Sequence, residues 1–457
     1  MGERRGQTRA PVRCLKTGTP SVQIEEIQAP VLRRRPAPYY GCHVLLHVDD
    51  AVQGRALLNR LIPYIASAAD YETRSHWAAI AFTYSGLQAL GVPNSSLDSF
   101  PIEFRQGMAS RAAMTADTGE NSPEHWQKPY GTGDVHIAVT FLSVTDDDWR
   151  ANLTDVKSLI GSLPAISLLI TEEFAQTIDA RTPLGYKDGI SFPHIAGNVA
   201  SPIPGGGEPI ALGEFVLGYP SETGIPLPMP QPEVLGRNGT FVGFRKLHSN
   251  VAKFRRFLKD NATSTLSEEL IAAKMAGRWR SGAPLALSPD TDDPELGSDL
   301  QRVNDFGYSD DPSGLRCPLG AHVRRMNPRD RKLAVMSDVK IHRVIRHGMT
   351  YGPHLPEGVL EDDGVERGIF FIFISARAPQ TFEFLKKEWI NNGNFMGLSN
   401  QKDPIAGRNE GTGTFTIPMR PIRKRLHGLD NFTQTRGGEY AFMPGLAALR
   451  WLVELSD

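Results

Sequence analysis

The sequence predicts an α+β protein made of two successive halves of similar architecture. Short apolar runs with strand character recur between stretches of helical spacing. They do so without strict strand–helix–strand regularity, and no GxGxxG or GxxxxGK[ST] loop signals a nucleotide fold. A Pro/Gly-heavy stretch from about 200 to 236 interrupts the chain near its middle. A length of 457 residues suits two domains, each able to bury a substantial core.

The elements follow in order. Residues 1–38 are rich in Arg and Pro, with RRRPAP at 33–38, and predict an extended N-terminal arm. GCHVLLHV (41–48) predicts a buried strand, and the spacing of Leu, Ile and Ala over about 51–69 predicts a helix. AIAFT (79–83) is a short strand, SGLQALGV (85–92) a helix closed by glycine, and DVHIAVTFLSV (134–144) an alternating strand. A long helix is expected over about 146–162. Within the Pro/Gly-rich stretch, GEFVLGY (213–219) reads as one short strand. Beyond it, GTFVGFRKL (239–247), a helix from about 250, RGIFFIFISA (367–376), a helix around 380–391 and EYAFMPGLAALRWLVEL (439–455) repeat the alternation. The expected division is an arm over 1–38, a first domain over 39–205 and a second over 206–457.

A formal net charge of −1 and a pI near 6.9 give no global field of the kind that draws proteins to nucleic acid or anionic membranes, so small-molecule chemistry is expected. Cys14, Cys42 and Cys317 lie far apart and form no CxxC or CxxCH motif, which argues against structural zinc and covalent c-type haem. The first twenty residues carry arginines with no apolar run behind them, so a soluble, cytoplasmic protein is expected.

Three segments put ionisable residues on constrained backbone: GYKDGIS (185–191), GAHVRRMNPRD (320–330) and HRVIRHGMTYGP (342–353). Taken singly each has a plain reading. Asp188 before a glycine is a common turn residue, a single His322 is commonly a satisfied histidine, and Arg346 at a strand end marks a return to solvent.

Together, in this order and spacing, they resemble the signature of the dye-decolorising peroxidases: GxxDG, then A-H-x-R-x-x-N-P-R, then an arginine-bearing strand, here RVIRHG. The resemblance extends through IAFTYSGLQALGVP (80–93), GRWRSGAPL (277–285), GIFFIFISA (368–376) and GGEYAFMPG (437–445), nearly the whole chain beyond the arm. The second-half segments look most like the longer subgroup found in fungi and many bacteria.

The resemblance implies two ferredoxin-like domains of the dimeric α+β barrel type, with non-covalent haem b in the C-terminal domain near their interface. It implies a hydrogen-peroxide-dependent oxidoreductase acting on small organic reductants such as dyes and phenolics by one-electron steps. His322 would be the proximal iron ligand, and its other ring N–H needs an acceptor. Asp403 in KDPIAG is the candidate acceptor, the alternative being a turn residue before Pro404. Asp188 and Arg346 would form the distal pair, the carboxylate moving a proton within peroxide and the guanidinium stabilising the departing oxygen. Ile369 and Phe371 would line that pocket, or serve only as strand core. Tyr351 and Trp389 are redox-capable side chains that could relay electrons outward, though such rings more often simply pack.

Two other readings stay open. A haem- or iron-handling protein without catalysis would use His322 alone, but has no use for an inward carboxylate and arginine. An added Mn(II) oxidation could draw on acids such as Glu268 and Glu269, although adjacent acids on a helix usually face solvent.

Overall fold

The computed structural model describes residues 21–176, 181–198, 207–330 and 338–456. Ten strands are present among them: β1 Tyr39–Val48, β2 His76–Phe82, β3 Ile137–Ser143, β4 Ile166–Gln176, β5 Thr240–Ser249, β6 Ile345–Tyr351, β7 Gly368–Ser375, β8 Gly413–Ile417, β9 Lys424–Leu429 and β10 Thr433–Met443. β8 and β9 form a small hairpin. The other eight form one sheet in the order β4-β1-β3-β2-β10-β5-β7-β6, with every neighbouring pair antiparallel. The α+β class is therefore as expected.

The outermost strands of that order, β4 and β6, lie against each other, so the sheet curls towards a barrel. Its interior is packed with rings: His43 of β1 meets Phe174 of β4, Phe244 of β5 and Phe370 of β7 at centroid distances of 4.7, 5.1 and 5.3 Å. A buried Lys246–Glu172 pair at 2.7 Å ties β5 to β4 inside it.

Helices cover the outer faces. The helix Asp146–Gly161 starts where the Thr145 hydroxyl accepts the Asp148 N–H, and it buries Trp149, Leu153, Val156 and Ile160, one stripe at helical spacing. Similar spacing carries Ala51–Leu61, capped by Asp50. The final helix, Leu446–Val453, packs back onto Ala51–Leu61, while β10 stands between β2 and β5. The end of the chain thus joins the two halves.

Three expectations need adjustment. GEFVLGY is not a strand: Leu212–Glu214 forms a 3-10 turn and Gly218 adopts φ 89°, a left-handed conformation that breaks extension. The helix expected at 380–391 is α-helical over Ala378–Phe384 and then widens into a π-helical turn, Leu385–Ile390. The arm over 1–38 lies in part outside the described residues. Its described part is closely packed, with one helical turn at Ala29–Leu32 and Ile27, Val31 and Leu32 buried. This strap is tied down by polar contacts within the fold: Gln28 donates to the carbonyls of Ile80 and Pro444, and the Pro30 carbonyl meets His347 Nε2 at 2.7 Å.

Candidate active site

A cavity of about 350 Å³ opens on the outer face of the second half of the sheet. Side-chain alternation decides which residues reach it: Leu247 of β5, Arg346 and Gly348 of β6, and Ile369, Phe371 and Phe373 of β7 line its wall. His322, Val323 and Met326 of the short helix His322–Met326, the loop 405–408, and Asp188 line the same space.

His322 is the first residue of its helix, and its Nδ1 lies 2.9 Å from Asp403 Oδ2. Asp403 is fully buried, and its other oxygen accepts the N–H groups of Ile405 and Ala406, each at 2.8 Å. Burial works against the Asp403 charge, but His322, the guanidinium of Arg325 and these hydrogen bonds outweigh it and hold the carboxyl below its ordinary range. With Nδ1 committed, Nε2 has no partner among the described residues and is the nitrogen left for a ligand. Arg325, buried and pushed down to about 10 chiefly by desolvation, pins this helix through the carbonyls of Gly320, Trp389, Asn392 and Gln401.

Asp188 is presented by a turn in which Gly185 and Gly189 take φ of 92° and 74°, values natural to glycine. Its carboxylate rests on β6 where Gly348 leaves room: a Cβ there would come 2.8 Å from Asp188 Oδ2. Arg35, from the N-terminal strap, donates to the Gly348 carbonyl and lies 3.4 Å from Asp188 Oδ2. Arg346, two residues before Gly348 and on the same face, is driven below its ordinary value by burial, an effect the Asp188 charge opposes.

The cavity carries more positive than negative charge. Arg343 is pushed down to about 9, by burial first and then by Arg329 and Arg346, and neither Arg343 nor Arg346 makes an ion pair among the described residues. Two half-buried guanidinium groups without an ion pair favour an anionic occupant. An apolar, planar one fits as well, since Ile369, Phe371, Phe373, Phe382, Leu385 and Ile390 supply much of the wall. A haem, with its flat macrocycle, propionate edge and need for one imidazole nitrogen, meets each condition.

The structure thus brings together His322, Asp403, Asp188, Arg346, Ile369 and Phe371. Tyr351 and Trp389 are off the cavity wall. Tyr351 points to the barrel interior, its ring 4.6 Å from Phe370, and Trp389 is buried 5.4 Å from the ring of His342, which does line the cavity. Glu269 is held by Arg280 at 2.8 Å, and the described residues contain no group of three or more His, Cys, Asp or Glu side chains poised for a metal ion. Arg35, Arg343 and Gly348 are the residues that reading the sequence missed. The alternation of RVIRHG was the available signal for Gly348, whereas RRRPAP carries none that distinguishes Arg35 from its neighbours.

An α+β barrel with a carboxylate-buttressed histidine, an acid and an arginine lining one cavity fits the class of haem peroxidases that use a carboxylate. Comparison with known proteins agrees. Residues 43–172 match the family model described as the DyP dimeric alpha+beta barrel domain. The dye-decolorizing peroxidase msp1 of Mycetinis scorodonius is 31% identical over 402 residues, covering 82% of this chain and 76% of the relative. The crystal structure of the peroxidase from Auricularia auricula-judae superposes with a TM-score of 0.82 at 27% identity, over 94% of this chain and 100% of that one. A dye-decolorizing peroxidase solved in complex with 2,6-dimethoxyphenol gives 0.81 at 27% identity, over 94% and 99%. The chain belongs to the dye-decolorising peroxidases. It is a haem peroxidase, and its cofactor is haem b. No helix among the described residues is long and apolar enough to cross a membrane.

Proposed function

We propose that this cavity holds the haem, that His322 Nε2 would bind its iron, and that Asp188 and Arg346 are the groups that would handle hydrogen peroxide. The observation that carries this is the commitment of His322 Nδ1 to Asp403, which leaves Nε2 unpartnered in the cavity that Asp188 and Arg346 also line. The haem supplies the redox chemistry, taking up the oxidising equivalents of peroxide and passing them to reductant in one-electron steps.

The chain's own residues do the rest. Asp403 fixes the His322 tautomer and lends the ring electron density. Asp188 Oδ2 would hold and move a proton of bound peroxide. Arg346, half-buried beside it, would stabilise negative charge that builds up on a peroxide oxygen. Ile369 and Phe371 keep the space apolar and limit bulk water. Arg343 would pair with an anionic group of the cofactor.

The reductants are phenolics and dyes, in keeping with the 2,6-dimethoxyphenol complex of the related peroxidase. Trp389 relays electrons from larger substrates through its contact with His342, and Tyr351 serves the barrel side of β6. The division near residue 205 puts Asp188 in the first domain and His322, Arg346, Ile369, Phe371 and Asp403 in the second, so the haem lies in the second domain at the junction. The direct test is haem content of His322→Ala: it should purify with little haem, because no covalent attachment replaces the axial bond. Full occupancy would move the ligand elsewhere.

A further inference from the structure

We propose that Tyr440 is a redox-active residue of this chain, giving an electron toward the cavity while its phenolic proton passes to Glu383. The proposal rests on the cavity being the haem site. An oxidised phenol is a strong acid, so a tyrosine that is to yield an electron reversibly needs a base at hydrogen-bond distance to hold the proton. Most buried tyrosines here lack one. Tyr71, Tyr186 and Tyr351 donate to the backbone carbonyls of Arg34, Ala272 and Leu247, and Tyr219 donates to the Asn238 amide oxygen. Carboxylate acceptors occur for Tyr130, bound to Glu172 at 3.2 Å, and for Tyr440, bound to Glu383 at 3.3 Å.

Position separates these two. Tyr130 and Glu172 lie inside the barrel, away from the cavity; both carboxylates are held at both oxygens by a cation, Glu172 by Lys246 and Glu383 by Arg111, so it is location that distinguishes them. Tyr440 stands in register with Gly243 of β5, and the missing side chain at Gly243 is filled by the ring of Phe373, which lines the cavity. Phe373 stacks on Phe382, another lining residue, with centroids 4.2 Å apart, and Phe382 is next in sequence to Glu383. The aromatic wall of the cavity is thus linked to the pair at two points, by the Tyr440–Gly243 register on the one side and by the sequence neighbours Phe382 and Glu383 on the other.

Beyond the pair there is a way out. Arg111 Nη2 donates to Glu383 Oε2 at 2.7 Å, and its Nη1 reaches the exposed Gln106 at 2.6 Å. Glu383 is buried, but Arg111 keeps its charge matched and leads to the surface. The step balances. The phenol loses one electron to the oxidising equivalent left by peroxide, its O–H proton moves to Glu383, and a reductant at the surface near Gln106 restores the electron as the proton returns.

The test is freeze-quench electron paramagnetic resonance of the holoenzyme mixed with hydrogen peroxide in the absence of reductant. Spin-trap adducts are mapped to peptides in the same samples. The expected result is a tyrosyl signal in the wild type with an adduct on the peptide containing Tyr440. That signal should lose most of its intensity in Tyr440→Phe and in Glu383→Gln, and be retained in Tyr130→Phe. A tyrosyl signal of undiminished intensity in Tyr440→Phe, or adducts mapping elsewhere in the wild type, would overturn the proposal. Haem content read from the Soret band separates this from failure of the haem-site reading, which would appear as His322→Ala retaining haem. Should Tyr440→Phe not load haem, the wild-type adduct map alone decides.

Discussion

The Asp403–His322 contact is a single hydrogen bond at 2.9 Å, and in the proposed site it is what would orient the iron-binding imidazole. Asp403 is fully buried and braced by two backbone N–H groups, so it can hold the imidazole without turning away. Replacing Asp403 by Asn keeps the shape and removes the charge, and haem affinity should fall by about 10- to 100-fold, as is usual when the outer partner of a metal-binding histidine is lost. A titration of the apoprotein with haem measures this. Arg346→Leu should behave differently, retaining haem while slowing the reaction with peroxide by roughly 10² to 10³, since only the charge stabiliser is gone. Stopped-flow mixing checks it, and an unchanged rate would remove Arg346 from the chemistry. Arg35 positions Asp188 from outside the sheet, so Arg35→Ala should alter the pH profile of that same reaction, with partial rescue by Arg35→Lys.

At the scale of elements, β6 does most of the aiming. Its alternation turns Arg346 and Gly348 to the cavity and His347 and Tyr351 to the other side. Gly348→Ala would put a methyl group 2.8 Å from Asp188 Oδ2, and the carboxylate must shift. The expected outcome is a folded, haem-loaded enzyme with a peroxide reaction slowed by one or more orders of magnitude, because small misplacements at a reacting centre are costly. Normal kinetics with normal haem content would show that Asp188 does not need its seat on β6. Much of this was legible in the sequence. The strands, the helix stripe of Trp149, Leu153, Val156 and Ile160, and the three motif segments all carry local periodicity or local glycine chemistry. What was not legible is long-range: the passage of Arg35 to Asp188 spans 153 residues, and GEFVLGY has strand composition but is bent by its glycines. Tyr351, five residues beyond Arg346, takes the opposite face of β6, which its distance along the chain alone does not reveal.

The whole molecule sets a limit on the chemistry in acid. His43 and His347 are buried and His342 half-buried, and they are pushed down to about 3, 4 and 4 respectively, by desolvation before any neighbouring charge. In the unfolded chain each titrates near its ordinary value of ~6.5. Between about pH 6.5 and 4 the unfolded state therefore binds protons that the native state refuses, and stability falls as pH is lowered through that window, each group costing on the order of 2–3 kcal/mol by its lower end. Thermal melts should show Tm declining steadily from pH 6.5 to 4, and His347→Gln should flatten part of the slope. An acid-insensitive Tm would contradict the burial of these rings. Carboxylate-based peroxide chemistry runs the other way, since a carboxylate keeps its charge at acidities where an imidazole is protonated. The peroxide reaction should thus persist into acid, to about pH 4, until protonation of the carboxylate and loss of the fold cut it off. Bound haem widens the margin by mass action.

The central claim is that Asp188 moves the proton in the peroxide reaction, and the most direct test is the rate constant of that step, followed at the Soret band in wild type and Asp188→Asn from pH 3.5 to 7 with haem content checked at each point. The account predicts a wild-type rate that persists well below pH 6 and an Asn variant slower by about two orders of magnitude or more across the range. A wild-type rate that collapses below pH 6 while haem stays bound, or an Asn variant that matches the wild type throughout, would contradict it.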